Sequence, residues 1–141
     1  MTSEGKMELI EETSELMLDW EKINGISPEN HVIPVAVQNM DTKEVILIAY
    51  INKQALEESI RLKKVVLWST SRNELWFKGK ESGNTFTLHR ILVNCEQNSL
   101  VFIATPDKGG ICHTSHNGVP NNCYYRELDM DTMKLINLNE K

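Results

Sequence analysis

The hydrophobic pattern along the chain consists mainly of short runs rich in branched and aromatic residues, separated by turn-forming residues. Such runs are typical of β-strands. Seven strands are predicted, at residues 31–39, 45–51, 65–69, 74–78, 85–93, 99–105 and 124–128. Pro34 has no backbone N–H to give to a neighbouring strand, so the first strand is expected at a sheet edge or at a bulge. The run at 45–51 (VILIAYI) is apolar throughout and predicts a buried strand.

Two segments have a helical pattern instead. In residues 3–20, Leu16 and Trp20 lie four positions apart on one predicted face. Asn52 is a suitable N-cap for a helix ending near Leu62, in which Leu56 and Ile60 would face the core. Hairpin-like links join most of the strands. The order of elements therefore predicts an α+β fold that is mostly antiparallel β-sheet with about two helices.

Composition and charge narrow the class of protein. With 141 residues, 40% hydrophobic and 25% charged, the chain is expected to form one soluble domain over residues 16–141 after a polar extension at 1–15. A net charge of −5 argues against nucleic acid or an anionic membrane as a partner. The start of the chain has no secretory pattern and no run is long enough to span a membrane, so a cytoplasmic location is expected.

Three cysteines, Cys95, Cys112 and Cys123, are the main candidates for chemistry. An odd number of thiols in a cytosolic protein indicates metal binding or catalysis before disulfides. Three thiolates would leave a tetrahedral zinc ion with one open position for water, as in catalytic zinc sites. However, the C-x16-C-x10-C spacing is not a standard zinc signature. The spacing alone leaves open that these are three unrelated buried thiols.

The histidines differ in their surroundings. His113 follows Cys112 in a glycine-rich segment and is the best candidate for moving protons. His31 and His89 fall in strand-like runs, where a structural role is expected. His116 forms a C-x3-H pair with Cys112 and is a possible fourth zinc ligand, which would close the site and make it structural.

One segment has a specific resemblance to a known family. Residues 75–84 (LWFKGKESGN) resemble the LW-x-KGE-x-SGN motif of the phosphoribosyl-AMP cyclohydrolases of histidine biosynthesis. Cys112-His113-Thr114 is similar to the CHTG motif of that family, and Asp19-Trp20 and residues 32–35 (VIPV) also match. The resemblance covers about residues 16–128 in the same order and spacing.

The resemblance implies an activity and a set of roles. The family hydrolyses the N1–C6 bond of the adenine ring in phosphoribosyl-AMP, and its members are homodimers with active sites at the subunit interface. Carried over by position, Cys95, Cys112 and Cys123 would bind zinc and His113 would be the general acid and base. The implied partners are a second copy of the chain and a small anionic nucleotide.

The resemblance also marks residues that would bind substrate. Ser69, Ser71 and Arg72 lie in the polar stretch of the family and Lys78 lies in the motif that follows, so these four are candidates to bind phosphate or ribose. For Arg72 and Lys78 the alternative is a solvated hairpin edge. Trp76 is a candidate to stack on the base, although a strand tryptophan is more often part of the core.

The chain departs from the family at three carboxylates. Typical members have an aspartate triad, D-C-D-x-D, that binds magnesium, whereas this chain has N-C-E-Q-N at residues 94–98. Because Mg²⁺ favours carboxylate oxygens, no magnesium site of the usual kind is expected, with Glu96 left as a possible second-metal ligand. Lys80 stands where the motif has glutamate, and the ten residues between Cys112 and Cys123 make a loop longer than usual.

Three functions are therefore compared. The first is a zinc-dependent hydrolase acting on phosphoribosyl-AMP or a related purine nucleotide. The second is a non-catalytic or repurposed metal-binding or nucleotide-binding relative, suggested by the missing carboxylates and the longer loop. The third, a cysteine-based oxidoreductase, is disfavoured because the chain has neither a CxxC motif nor a glycine-rich dinucleotide fingerprint.

Overall fold

The structure, a computed structural model, describes residues 16–20, 31–108, 115–116, 119–120 and 123–138. These residues contain one helix, α1 (Lys53–Leu62), and ten strands. The longer strands are β1 (Val32–Asn39), β2 (Val45–Asn52), β3 (Val66–Ser69), β4 (Glu74–Phe77), β5 (Phe86–Val93) and β6 (Leu100–Pro106). The shorter strands are β7 (Ser115–His116), β8 (Val119–Pro120), β9 (Arg126–Leu128) and β10 (Leu135–Asn137).

Six strands form one sheet in the order β4-β3-β2-β1-β6-β5. All neighbouring pairs are antiparallel except β1 and β6, which are parallel. The other four strands form two small antiparallel hairpins, β7–β8 and β9–β10. The predicted α+β fold with mostly antiparallel sheet is confirmed at this level, and each of the seven predicted strands is present.

The position of Pro34 corrects one expectation. Strand β1 is not at an edge but lies between β2 and β6. Its ladder with β6 begins only at Val35, so Pro34 is opposed by Tyr50 of β2 alone. A proline is tolerated here because β6 does not yet pair with β1 at this position, so the N–H that proline lacks is not needed on that side. The irregularity in the β1–β2 register lies further on, between Val37 and Gln38.

Helix α1 begins and ends as its sequence predicts, but one of its core positions is different. Asn52 Oδ1 accepts from the N–H of Ala55 at 2.8 Å, which confirms the N-cap. Leu56 is buried, whereas Ile60 is 43% exposed, so the expectation that Ile60 faces the core is wrong. Ser59 takes that place, because its hydroxyl donates to the carbonyl of Val66 at 2.8 Å and accepts from the N–H of Val66 at 3.0 Å.

Two further expectations need correction. The predicted helix at 3–20 lies mostly outside the described residues, and the part that is described, 16–20, is not helical. There Asp19 donates its backbone N–H to the carbonyl of Gln97 at 2.6 Å instead of to the preceding turn. Strand β2 is only partly buried: Ile46, Leu47 and Ile51 lie in the core, while Val45 and Ile48 are exposed.

The core lies where the sheet meets α1 and consists mainly of aliphatic residues of the inner strands, with Phe86 and Phe102. Leu18 and Trp20 pack against it from the N-terminal segment. No helix in the described parts of the chain has the length and apolar character to cross a bilayer.

Candidate functional site

A cleft of about 650 Å³ lies between helix α1 and the edge of the sheet at β4. Residues from α1, from β3 and β4, and from the turns before and after β4 line it: Glu58, Arg61, Leu62, Val66, Arg72, Glu74, Leu75, Trp76, Phe77, Lys78, Gly79, Lys80, Glu81, Ser82 and Asn84. Most of the segment 75–84, the segment that has the family-like motif, thus lines this one cleft.

The turn after β4 has a shape that depends on glycine. Gly79 has a φ of +82° and its Cα faces the backbone of Asn84 so closely that a Cβ would meet the carbonyl oxygen at 1.9 Å. Ser82 Oγ accepts from the N–H of Asn84 at 3.2 Å and so tightens the same turn. The sequence KGKESGN therefore folds back on itself, and both Lys78 and Lys80 line the cleft.

The cleft contains more positive than negative side chains. Four basic residues line it (Arg61, Arg72, Lys78, Lys80), against three acidic ones (Glu58, Glu74, Glu81). Arg61 pairs with Glu58 at 2.6 Å and Arg72 with Glu74 at 3.8 Å. In the described part of the chain, Lys78 and Lys80 have no carboxylate partner, so these two charges are available to an anion.

The ion pair on the helix is held by local spacing. Glu58 and Arg61 are three residues apart on α1, and two hydrogen bonds join their side chains, at 2.6 and 3.2 Å. The hydrogen bond from Arg61 lowers the pKa of Glu58, so this carboxylate stays ionised under neutral conditions. Sequence reasoning missed both residues as cleft residues, although their spacing on a predicted helix was a usable signal.

The predicted substrate-binding residues divide into two groups. Arg72, Trp76 and Lys78 line the cleft, and Lys78 Nζ lies 5.4 Å from the centre of the Trp76 ring, within cation–π range. Ser69 and Ser71 lie at the end of β3 and in the turn that follows it. There Ser69 Oγ accepts from the N–H of Arg72 at 3.3 Å, and the two hydroxyl oxygens are 3.4 Å apart.

The predicted zinc ligands are only partly within the described residues. Cys95 lies in the loop between β5 and β6, Cys123 lies shortly before β9, and both residues are exposed. Cys112 and the predicted general acid and base His113 lie outside the described residues. Residues 16–20, 31–108 and 123–138 hold no group of three or more His, Cys, Asp or Glu side chains that is arranged for a metal ion.

The histidines not assigned to the reaction are surface residues where they are described. His31 is exposed just before β1. His89 is exposed on β5, with Nε2 2.8 Å from Thr105 Oγ1. The backbone of His116 lies in β7.

Residues 94–98, where the family has its aspartate triad, form a closed loop. Asn94, Asn98 and Glu96 are joined side chain to side chain by hydrogen bonds of 2.7 and 2.9 Å. Glu96 is half-buried and accepts from Asn98. The second-metal candidate is thus bound to an amide of its own loop.

Comparison with known proteins gives consistent matches. A family model described as phosphoribosyl-AMP cyclohydrolase matches residues 47–125. A phosphoribosyl-AMP cyclohydrolase of Nitrosopumilus maritimus is 39% identical over 79% of this chain and 93% of its own length. One from Cenarchaeum symbiosum is 40% identical with the same coverage, and one from Lacticaseibacillus casei is 38% identical over 79% of this chain and 91% of its own.

Proposed function

Because the chain belongs to the phosphoribosyl-AMP cyclohydrolase family, we propose that it hydrolyses the N1–C6 bond of the adenine ring of phosphoribosyl-AMP, a step of histidine biosynthesis. The observation that carries this proposal is the cleft beside β4, in which the family-like segment presents two lysines that have no carboxylate partner among the described residues. A phosphorylated nucleotide needs such charge-assisted donors.

Lys78 and Lys80 are proposed to bind a phosphate of the substrate. Both line the cleft, and two of its three acidic residues, Glu58 and Glu74, are engaged by Arg61 and Arg72. Arg72 lines the same cleft, Ser69 and Ser71 lie next to Arg72 in the turn after β3, and these three residues would supply further donors. The Trp76 ring makes a cation–π contact with Lys78, and it would stack on the base.

The proposed metal is zinc, held by Cys95, Cys112 and Cys123. The donors fit, since Cys95 and Cys123 are exposed cysteines and thiolates are preferred zinc ligands. Zinc bound in this way would lower the pKa of a bound water toward neutrality. His113 would take a proton from the attacking water and give one to N1 as the N1–C6 bond breaks.

Turnover of phosphoribosyl-AMP by zinc-loaded protein tests the reaction directly. We expect ring opening that His113→Ala abolishes while nucleotide binding is retained. Lys78→Ala with Lys80→Ala should raise KM about tenfold or more, because two charged donors are lost. Lys53→Ala, an exposed change at the start of α1 that does not line the cleft, is the matched control.

The outcomes separate the proposal from the alternative of a repurposed relative. No turnover by zinc-loaded protein that still binds the nucleotide in the cleft would favour a binding role. An unchanged KM in the double lysine variant would refute the assignment of the cleft as the site that binds the substrate phosphate, even if the reaction takes place.

A further inference from the structure

The loop between β5 and β6 is closed by hydrogen bonds within its backbone and between its side chains. In the backbone, Asn94 donates its N–H to the carbonyl of Ser99 at 3.3 Å, and Gln97 donates to the carbonyl of Asn94 at 3.0 Å. Gln97 has a φ of +54° and is buried. These contacts define a tight loop, but they do not explain why its side chains are mostly amides.

The direction of the Asn94 side chain is fixed by the backbone. Its Oδ1 accepts from the N–H groups of Asn98 at 2.9 Å and Ser99 at 3.0 Å, so the opposite end of the amide must be the NH₂ group. Asn94 Nδ2 donates to Asn98 Oδ1 at 2.7 Å. Asn98 is oriented in turn, and its Nδ2 donates to Glu96 Oε2 at 2.9 Å.

The three side chains thus form a chain of hydrogen bonds that runs in one direction, from Asn94 through Asn98 to Glu96. We call it the amide clasp. Three carboxylates at the same positions would face one another with their oxygen atoms. A cation would be needed between them to offset the repulsion. In the amide clasp the NH₂ groups occupy that position, and an NH₂ group cannot ligate a metal ion. A magnesium site therefore does not fit these residues.

We infer that Asn94 and Asn98 are positioning residues that hold this loop without a divalent cation. Cys95 lies between them in the loop. Gln97, at the tip, accepts from the N–H of Asp19 through its carbonyl and from the N–H of Met17 through Oε1. The amide clasp thereby sets the positions of a thiol and of the N-terminal segment.

The amide clasp rests on the hydrogen bonds alone, whereas its role in presenting Cys95 to zinc rests on the proposed function. The two parts predict different measurements. Stability and its response to Mg²⁺ report on the clasp in the whole chain, with zinc present and no chelator. The thiolate-to-metal absorption band of the Co²⁺-substituted protein reports on the position of Cys95.

The main variant is Asn94→Asp with Asn98→Asp, which keeps the shape of the side chains and replaces every clasp donor by a carboxylate oxygen. In magnesium-free buffer its Tm should fall by about 4 °C or more, and millimolar Mg²⁺ should restore most of the loss. The parent protein should respond to Mg²⁺ by less than about 1 °C. The cobalt band should shift in the variant and return with Mg²⁺.

Glu96→Gln is the matched control, because the glutamine side chain still offers an oxygen to Asn98 while the charge is removed. An amide clasp tolerates this change, with Tm within about 1 °C of the parent, whereas a cation site would be lost.

The inference is overturned if the parent protein binds Mn²⁺ tightly and stoichiometrically and Glu96→Gln abolishes that binding. It is also overturned if the double aspartate variant is as stable as the parent without Mg²⁺. If the double aspartate variant loses stability as expected but its cobalt band does not shift, only the link to Cys95 is refuted.

Discussion

Gly79 occupies a position that no other amino acid can take without moving the turn. Its φ is +82°, and an added Cβ would lie 1.9 Å from Asn84 O. We expect Gly79→Ala to reduce the free energy of unfolding by about 3 kcal/mol or more, since the clash is with backbone and adds to the cost of the left-handed conformation. Urea denaturation measures this change.

Gly83 provides a matched comparison for this prediction. It also has a positive φ, +81°, but the nearest atom to an added Cβ is Lys108 Nζ at 3.7 Å, the end of a flexible side chain. Gly83→Ala should therefore cost only the conformational penalty, about 1 to 2 kcal/mol. Equal losses in the two variants would show that the contact with Asn84 does not restrict the turn.

Ser59 attaches α1 to the sheet through two buried hydrogen bonds to Val66, one donated and one accepted. Ser59→Ala leaves a buried N–H and a buried carbonyl without this partner, so we expect a loss of about 1 to 3 kcal/mol. Ile60→Ala, next to it but on the exposed side of the helix, should change stability by less than about 0.5 kcal/mol. A larger effect at Ile60 than at Ser59 would contradict the observed orientation of the helix.

A second attachment joins β5 to the end of β6. Asp107 accepts from Lys64 Nζ and Thr85 Oγ1, both at 2.6 Å, and also from Thr87 Oγ1. Partial burial alone would raise the pKa of Asp107, but the hydrogen bonds from Lys64, Thr85 and Thr87 outweigh it and lower the pKa to about 2, from 3.8. Lys64 and Asp107 thus hold the start of the segment that leads to Cys112.

This pKa predicts how stability depends on pH. Because the folded-state pKa is the lower one, the stabilisation is complete above the unfolded value of 3.8 and is lost as the pH falls toward 2. Asp107→Asn should cost about 1 to 2 kcal/mol at pH 7, allowing for solvent screening, and much less near pH 2. Asp41→Asn, in the exposed turn after β1, is the control. A difference that is independent of pH would contradict the assignment.

One turn occurs twice in the chain and shows what sequence can and cannot predict. Residues 39–44 (NMDTKE) and 129–134 (DMDTMK) form the same hairpin turn. In both, the first side chain accepts from the N–H groups two and three residues later, and the fifth residue has a positive φ. Such local chemistry is readable from sequence, and so were the strands and the N-cap at Asn52.

Long-range contacts explain the expectations that were wrong. The non-helical path of residues 16–20 depends on Gln97, about 80 residues later, and Pro34 is accommodated because β6 begins opposite Val35. The cleft residues of β4 were predictable from the motif, but Arg61 and Glu58 joined them only through packing of α1. The sequence likewise shows only that carboxylates are missing at residues 94–98. The hydrogen bonds that join these side chains into the amide clasp are visible only in the structure.

The hairpin β9–β10 exposes a set of apolar side chains that is large for a small protein. Leu128, Met130, Met133, Leu135, Ile136 and Leu138 are all exposed, Met130 by 90%. A two-stranded hairpin is marginally stable by itself, and an apolar surface of this kind is typical of a protein interface. A homodimer is the state implied by the family resemblance, and we propose that these residues form its interface.

Sedimentation equilibrium tests this proposal, with a mass of twice 16.2 kDa expected for the parent chain. Met130→Asp with Leu135→Asp should shift the protein to the monomer, because charged groups would be buried in the interface, while Ile60→Asp on the exposed side of α1 should leave the mass unchanged. If the active site requires both subunits, turnover should fall with the dimer fraction and recover at high protein concentration. A parent chain that is monomeric at all concentrations would exclude this arrangement, and the hairpin surface would then need another partner.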